Sequence, residues 1–137
     1  MTEALSTMTP YAARIVKNGA ATVGALFGVA TLAEGGRVLL GADPGYVVFR
    51  PLLFFNVAMG AAYIAAGIAL WRSVAAGRVA AGAIFALNLL VLAGIAVVRQ
   101  GGGAVAAQSI AAMTLRTVVW LVLFLVAWRT GRATEEA

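Results

Sequence analysis

The sequence predicts an all-α fold: an integral-membrane four-helix bundle with both termini cytoplasmic and a packed outer loop between the first and second helices. Three observations carry this expectation. The first is composition: the 137 residues are 63% hydrophobic and 11% charged, with a mean hydropathy of +0.97. A soluble domain runs roughly 45–50% apolar and about 25% charged. A chain this small buries only about 60–70% of the surface its unfolded form exposes, so the surplus apolar surface must face lipid. The second observation is segment length, because four apolar stretches approach the roughly 20 residues needed to cross a 30 Å hydrocarbon core. The third is the sorting of basic residues to alternate sides of those stretches.

The first span is Ala13–Ala33, with Arg14 and Lys17 able to snorkel from its first turns. A cleaved leader is the competing reading of this segment. The second span is Leu52–Trp71, preceded by Pro51, a residue suited to a helix start because its missing N–H is not needed there. The third is Val79–Val98, and the fourth is Ile110–Trp128, which contains Arg116. The connections are short except for the outer loop 34–51, so the whole chain, 1–137, forms one transmembrane domain. In that loop Asp43-Pro44-Gly45 is turn chemistry between the apolar triplets Val38-Leu39-Leu40 and Val47-Val48-Phe49. A small hairpin or a re-entrant cap over the outer end would use them.

Arg14, Lys17, Arg72, Arg78, Arg129 and Arg132 flank one side, while Arg37, Arg50 and Arg99 flank the other. The positive-inside rule therefore places both termini in the cytoplasm of a multi-pass inner-membrane protein. The formal charge of +5 reflects this topology rather than a nucleic-acid partner. Small residues recur where helices would touch: Gly24 and Gly28 in the first span, Gly60 and Gly67 in the second. Between helices in lipid, close approach of small residues supplies much of the attraction. Biased composition would produce the same pattern without packing.

Chemistry is constrained by what is missing. The chain has no cysteine and no histidine, which removes disulfides, thiolate metal sites, bis-histidine haem and histidine proton relays. No acid lies mid-span, no lysine is deep enough for a retinal Schiff base, and there is no Walker loop, Ser/His/Asp set or carboxylate pair. These absences argue against hydrolytic and phosphoryl chemistry, and no catalytic or metal-binding residues are assigned. An intramembrane charge is a candidate functional group, and Arg116 is the clearest. It lies about 9 Å below the outer end of its span at helical rise. Glu34 is its expected partner, ending the first span at a similar level, although Arg116 can instead snorkel outward. Asn56 lies roughly 6 Å into the second span, with Tyr63 and Asn88 near mid-membrane. Gln108 and Arg50 add polar groups at the outer end. These residues describe either interhelical glue or an outward-facing pocket for an amphipathic anion or quinone-like headgroup.

The stretches Phe49-Arg50-Pro51-Leu52-Leu53-Phe54-Phe55-Asn56, Gly60-x-x-Tyr63-x-x-x-Gly67 and Ala112-Met113-Thr114-Leu115-Arg116-Thr117 resemble small bacterial DoxX-like membrane proteins. The resemblance implies a four-span fold and association with quinone-linked oxidoreductase complexes, often as an accessory subunit. Three functions are compatible with these features. One is a non-catalytic binding or accessory subunit holding a lipid or quinone. The second is a structural partner of a larger membrane complex, docking through small-residue faces. The third is a small transporter, which would need a homo-oligomer to enclose a wet path.

Overall fold

A computed structural model describes residues 8–135. Four helices follow one another: α1 Pro10–Leu39, α2 Arg50–Arg72, α3 Val74–Gln100 and α4 Ala107–Glu135. Each is long and apolar enough to cross a membrane, and even α2, at 23 residues, extends about 34 Å at helical rise. The outward faces are greasy: Leu26, Leu90 and Val97 are 62%, 70% and 68% exposed. These are the surfaces that hydrocarbon must solvate.

Connections are shorter than the apolar windows suggest. Helix α1 starts at Pro10 behind a Thr9 cap whose hydroxyl accepts from the Ala12 N–H at 3.1 Å. It continues through Glu34–Leu39, so the expected outer loop 34–51 contracts to residues 40–49. Its end is a Schellman closure: Gly41, at φ +106°, donates to Val38 O at 3.1 Å, and Ala42 donates to Arg37 O at 3.0 Å. Among the described residues no strand forms in this loop, so the expected hairpin is absent. A turn replaces it, with the Gly45 N–H donating to Asp43 Oδ1 at 2.8 Å. Helix α3 closes in the same manner, with Gly103 donating to Val98 O at 2.8 Å and Gly102 at φ +88°.

Between α2 and α3 there is one residue. The Ser73 N–H donates to Ala69 O at 2.8 Å to end α2, and its Oγ accepts from the Ala76 N–H at 3.3 Å to begin α3. The corner closes because Gly77 presents no Cβ to Leu70.

The helices form an up-down ring in which α1 packs most closely on α2 and α3 on α4, while α2–α3 and α4–α1 complete the circuit. At the α1–α2 seam a Cβ on Gly28 would lie 2.7 Å from Gly60 O and from Ile64 N. A Cβ on Gly67 would lie 2.7 Å from Ala25 N, and one on Gly60 would meet Leu32 Cγ at 2.8 Å. Gly24 faces the fourth helix instead, where Trp120 and Leu123 approach. The main core gathers Met59, Tyr63, Ala66, Ala81, Ile84, Trp120 and Leu123. A second cluster of Leu52, Ile95, Val105 and Met113, with Phe49 against it, plugs the end carrying the longer loops.

Candidate functional site

The loop end of the bundle carries a cavity of about 330 Å³ lined by α1, α2, α4 and the loop. Helix α1 contributes Thr31, Glu34, Arg37 and Val38, because its extra turns rise past the point where the apolar run stops. The Asp43-Pro44-Gly45 turn folds the loop back and brings Tyr46 to the wall. From α2 come Leu53 and Asn56, three residues apart and thus on one face. Arg116 enters from α4. A smaller cavity of about 40 Å³ shares Val38, Tyr46, Leu53 and Asn56 and reaches Ser109.

Charges in this cavity are unevenly matched. Glu34 pairs with Arg37, at 3.2 Å, and both side chains are well exposed at 71% and 67%. Asp43 accepts from its own turn. Arg116 therefore lacks the expected Glu34 partner. The i,i+3 spacing on α1 puts Arg37 within immediate reach of Glu34, whereas Arg116 belongs to another helix. Among the described residues Arg116 makes neither an ion pair nor a side-chain hydrogen bond, and its Nε is buried. Asn56 Oδ1 is likewise buried without a partner. Arg116 lies within electrostatic range of Tyr46 and Tyr63.

Below the cavity the polar groups continue into the core. The Tyr63 hydroxyl donates to Asn88 Oδ1 at 3.0 Å, and both residues are fully buried. The Tyr63 ring lies between Phe27 and Trp120, with centroid separations of 5.7 and 5.0 Å. Asn88 Nδ2 and Trp120 Nε1 are buried donors with no partner among the described residues.

The seven site residues expected from sequence thus divide into three groups. Arg116, Glu34 and Asn56 share the cavity. Tyr63 and Asn88 form a separate hydrogen-bonded pair beneath it. Arg50 and Gln108 are exposed and line neither cavity. Helical phase explains the last group. Arg50 precedes Asn56 by six residues, about 120° around α2, and Ser109 takes Gln108's place because seven residues separate it from Arg116. Arg99 lies elsewhere, in a shallow depression with Gln100 and Ile110.

Thr31 and Tyr46 are among the lining residues missed in the sequence. Thr31, whose hydroxyl back-bonds to Phe27 O at 2.8 Å, lies one turn below Glu34. Tyr46 follows the turn glycine and is the loop's only tyrosine. The three-residue spacing from Thr31 to Glu34, which puts both on one helical face, was the signal for the first, and a loop folded inward would have found the second. Compared with known proteins, the chain matches no family model, no curated protein and no solved structure.

Proposed function

We propose that the protein is a small multi-pass protein of the inner membrane, both termini cytoplasmic, acting as a non-catalytic binding or accessory subunit. Its outward-facing cavity holds the oxygen-bearing headgroup of a lipid or quinone-like molecule. The observation that carries this reading is the Arg116 guanidinium, which faces a cavity of about 330 Å³ with no acceptor among the described residues. An arginine within a membrane-spanning helix is costly to insert and normally pairs with a carboxylate, a carbonyl or a ligand. A phosphate or a quinone carbonyl supplies the missing acceptor, and a ligand hydroxyl would satisfy Asn56 Oδ1. The volume falls in the range of small-ligand sites, about 300–1,000 Å³.

Two supporting arguments come from sequence. The six-to-three bias of basic residues orients the cavity outward. Two of the stretches that resemble DoxX-like proteins contain Asn56 and Arg116, in keeping with a quinone. The alternative of an assembly partner docking through small-residue faces has less to recommend it. Gly24, Gly28, Gly60 and Gly67 are all buried within this chain.

Native mass spectrometry of the detergent-purified protein, with identification of bound small molecules and titration of a short-chain ubiquinone analogue, tests the reading. Arg116→Gln is expected to weaken retention of the bound species about tenfold, near the 1.5 kcal/mol of one charge-assisted hydrogen bond. Equal retention by the variant and the native chain would discard the proposal.

A further inference from the structure

The opposite end of the bundle holds a second, chemically different cavity. About 280 Å³ in volume, it is lined by Pro10, Ala13, Arg14, Lys17, Arg72, Val74 and Thr130. Three cations from two helices converge there, and no carboxylate is among the lining residues. Arg14 and Lys17 are i,i+3 neighbours, a spacing at which like charges repel. Lys17 is partly engaged: its ammonium donates to Leu70 O at 3.2 Å and Trp71 O at 2.5 Å, the last carbonyls of α2. Arg14 and Arg72 make no ion pair among the described residues.

Arg72 also lines a groove on the outer surface of the α1–α2 pair. That groove, about 260 Å³, is walled by Ala21, Ala25, Leu26, Gly67, Ile68 and Trp71 and is almost wholly apolar. It exists because the Gly67–Ala25 contact brings the two backbones together and leaves a furrow beside it. A cationic cavity and a hydrocarbon-lined groove thus meet at one arginine.

We infer that this is a binding site for an anionic glycerophospholipid, its phosphate among Arg14, Lys17 and Arg72 and one acyl chain in the α1–α2 groove. Charge complementarity selects the headgroup, since basic clefts between transmembrane helices attract anionic lipid. The groove selects a lipid over a free anion, because its apolar walls give van der Waals contact to an acyl chain and offer an inorganic anion no polar partner. This site is independent of the Arg116 cavity at the other end.

Trp71, on the groove wall, is the reporter. In mixed micelles, brominated phosphatidylglycerol is expected to quench Trp71 fluorescence at about one-tenth the mole fraction needed with brominated phosphatidylcholine. Trp71→Phe should remove the difference between the two lipids, leaving the buried Trp120 and the half-exposed Trp128, which both lipids quench alike. The double variant Arg14→Gln/Arg72→Gln should erase the preference, whereas Arg72→Lys and Arg116→Gln should keep it, which separates loss of charge from loss of fold. Thr22→Phe, which fills the groove from its exposed rim, should weaken quenching by both lipids. Equal quenching by the two lipids in the native chain would overturn the inference. So would a preference that survives the double arginine variant, or full displacement of phosphatidylglycerol by millimolar inorganic phosphate.

Discussion

Tyr63 and Asn88 show how a single polar contact behaves in this interior. The hydroxyl and the amide join α2 to α3 at 3.0 Å, with no water-accessible surface on either residue. Removing one partner leaves the other unsatisfied, at about 1–3 kcal/mol. Measured couplings between membrane helices are smaller, averaging about 0.6 kcal/mol, because the unfolded chain in lipid finds other partners. Tyr63→Phe is therefore expected to destabilise the bundle by about 1 kcal/mol. Combined with Asn88→Leu, it should cost less than the sum of the two single changes. Denaturant unfolding in micelles, followed by circular dichroism, measures the cycle; strict additivity would show that the bond contributes nothing. Both residues were legible as mid-membrane polar groups, but their mutual contact was not, since it depends on the rotation of α2 against α3.

At the scale of the helix, glycine acts in two ways. Gly28 has backbone atoms of α2 where its Cβ would be, at 2.7 Å, whereas nothing lies within 4 Å of that position at Gly94. Gly28→Ala must push α1 away from α2, an overpacking cost of about 1–3 kcal/mol. Gly94→Ala meets open space and should leave stability unchanged or raise it by up to about 1 kcal/mol, since alanine is the better helix former. Thermal unfolding of the two variants in one detergent checks the contrast, and equal effects would contradict the close approach. The sequence showed the small-residue stripes plainly. Helix ends were harder to read, because Glu34-Gly35-Gly36-Arg37 looks like a loop by hydropathy. Backbone bonding within a helix does not require apolar side chains, so α1 runs on until Gly41 can adopt positive φ. The cavity followed the same limit: Arg116 and Asn56 stand out as polar residues in apolar runs. Tyr46 was hidden because its position depends on how the Asp43-Pro44-Gly45 turn folds back.

For the whole molecule, alternate ends differ in charge and in connection. Arg14, Lys17 and Arg72 meet at the end with the Ser73 corner, and Glu34, Arg37 and Arg116 at the end with the longer loops. The chain contains no cysteine, so single introduced thiols report sidedness without background. In intact cells, Val47→Cys is expected to react with a membrane-impermeant maleimide, and Ala75→Cys only after permeabilisation. The reverse pattern would invert the orientation argued from the basic residues. The termini themselves lie outside the described residues.

Ser73 has a mechanical consequence. It is the sole covalent joint between two tightly packed hairpins, α1–α2 and α3–α4. Any rotation of one hairpin against the other that keeps both intact pivots at that residue. Helix α3, with 27 residues, then acts as a lever about 40 Å long. Roughly 5° of tilt carries its far tip about 3.5 Å, on the arithmetic of that length. The displacement is smallest beside the cationic cleft and greater toward Arg116, so the same small angular change would leave one compartment unaltered while widening the mouth of the other.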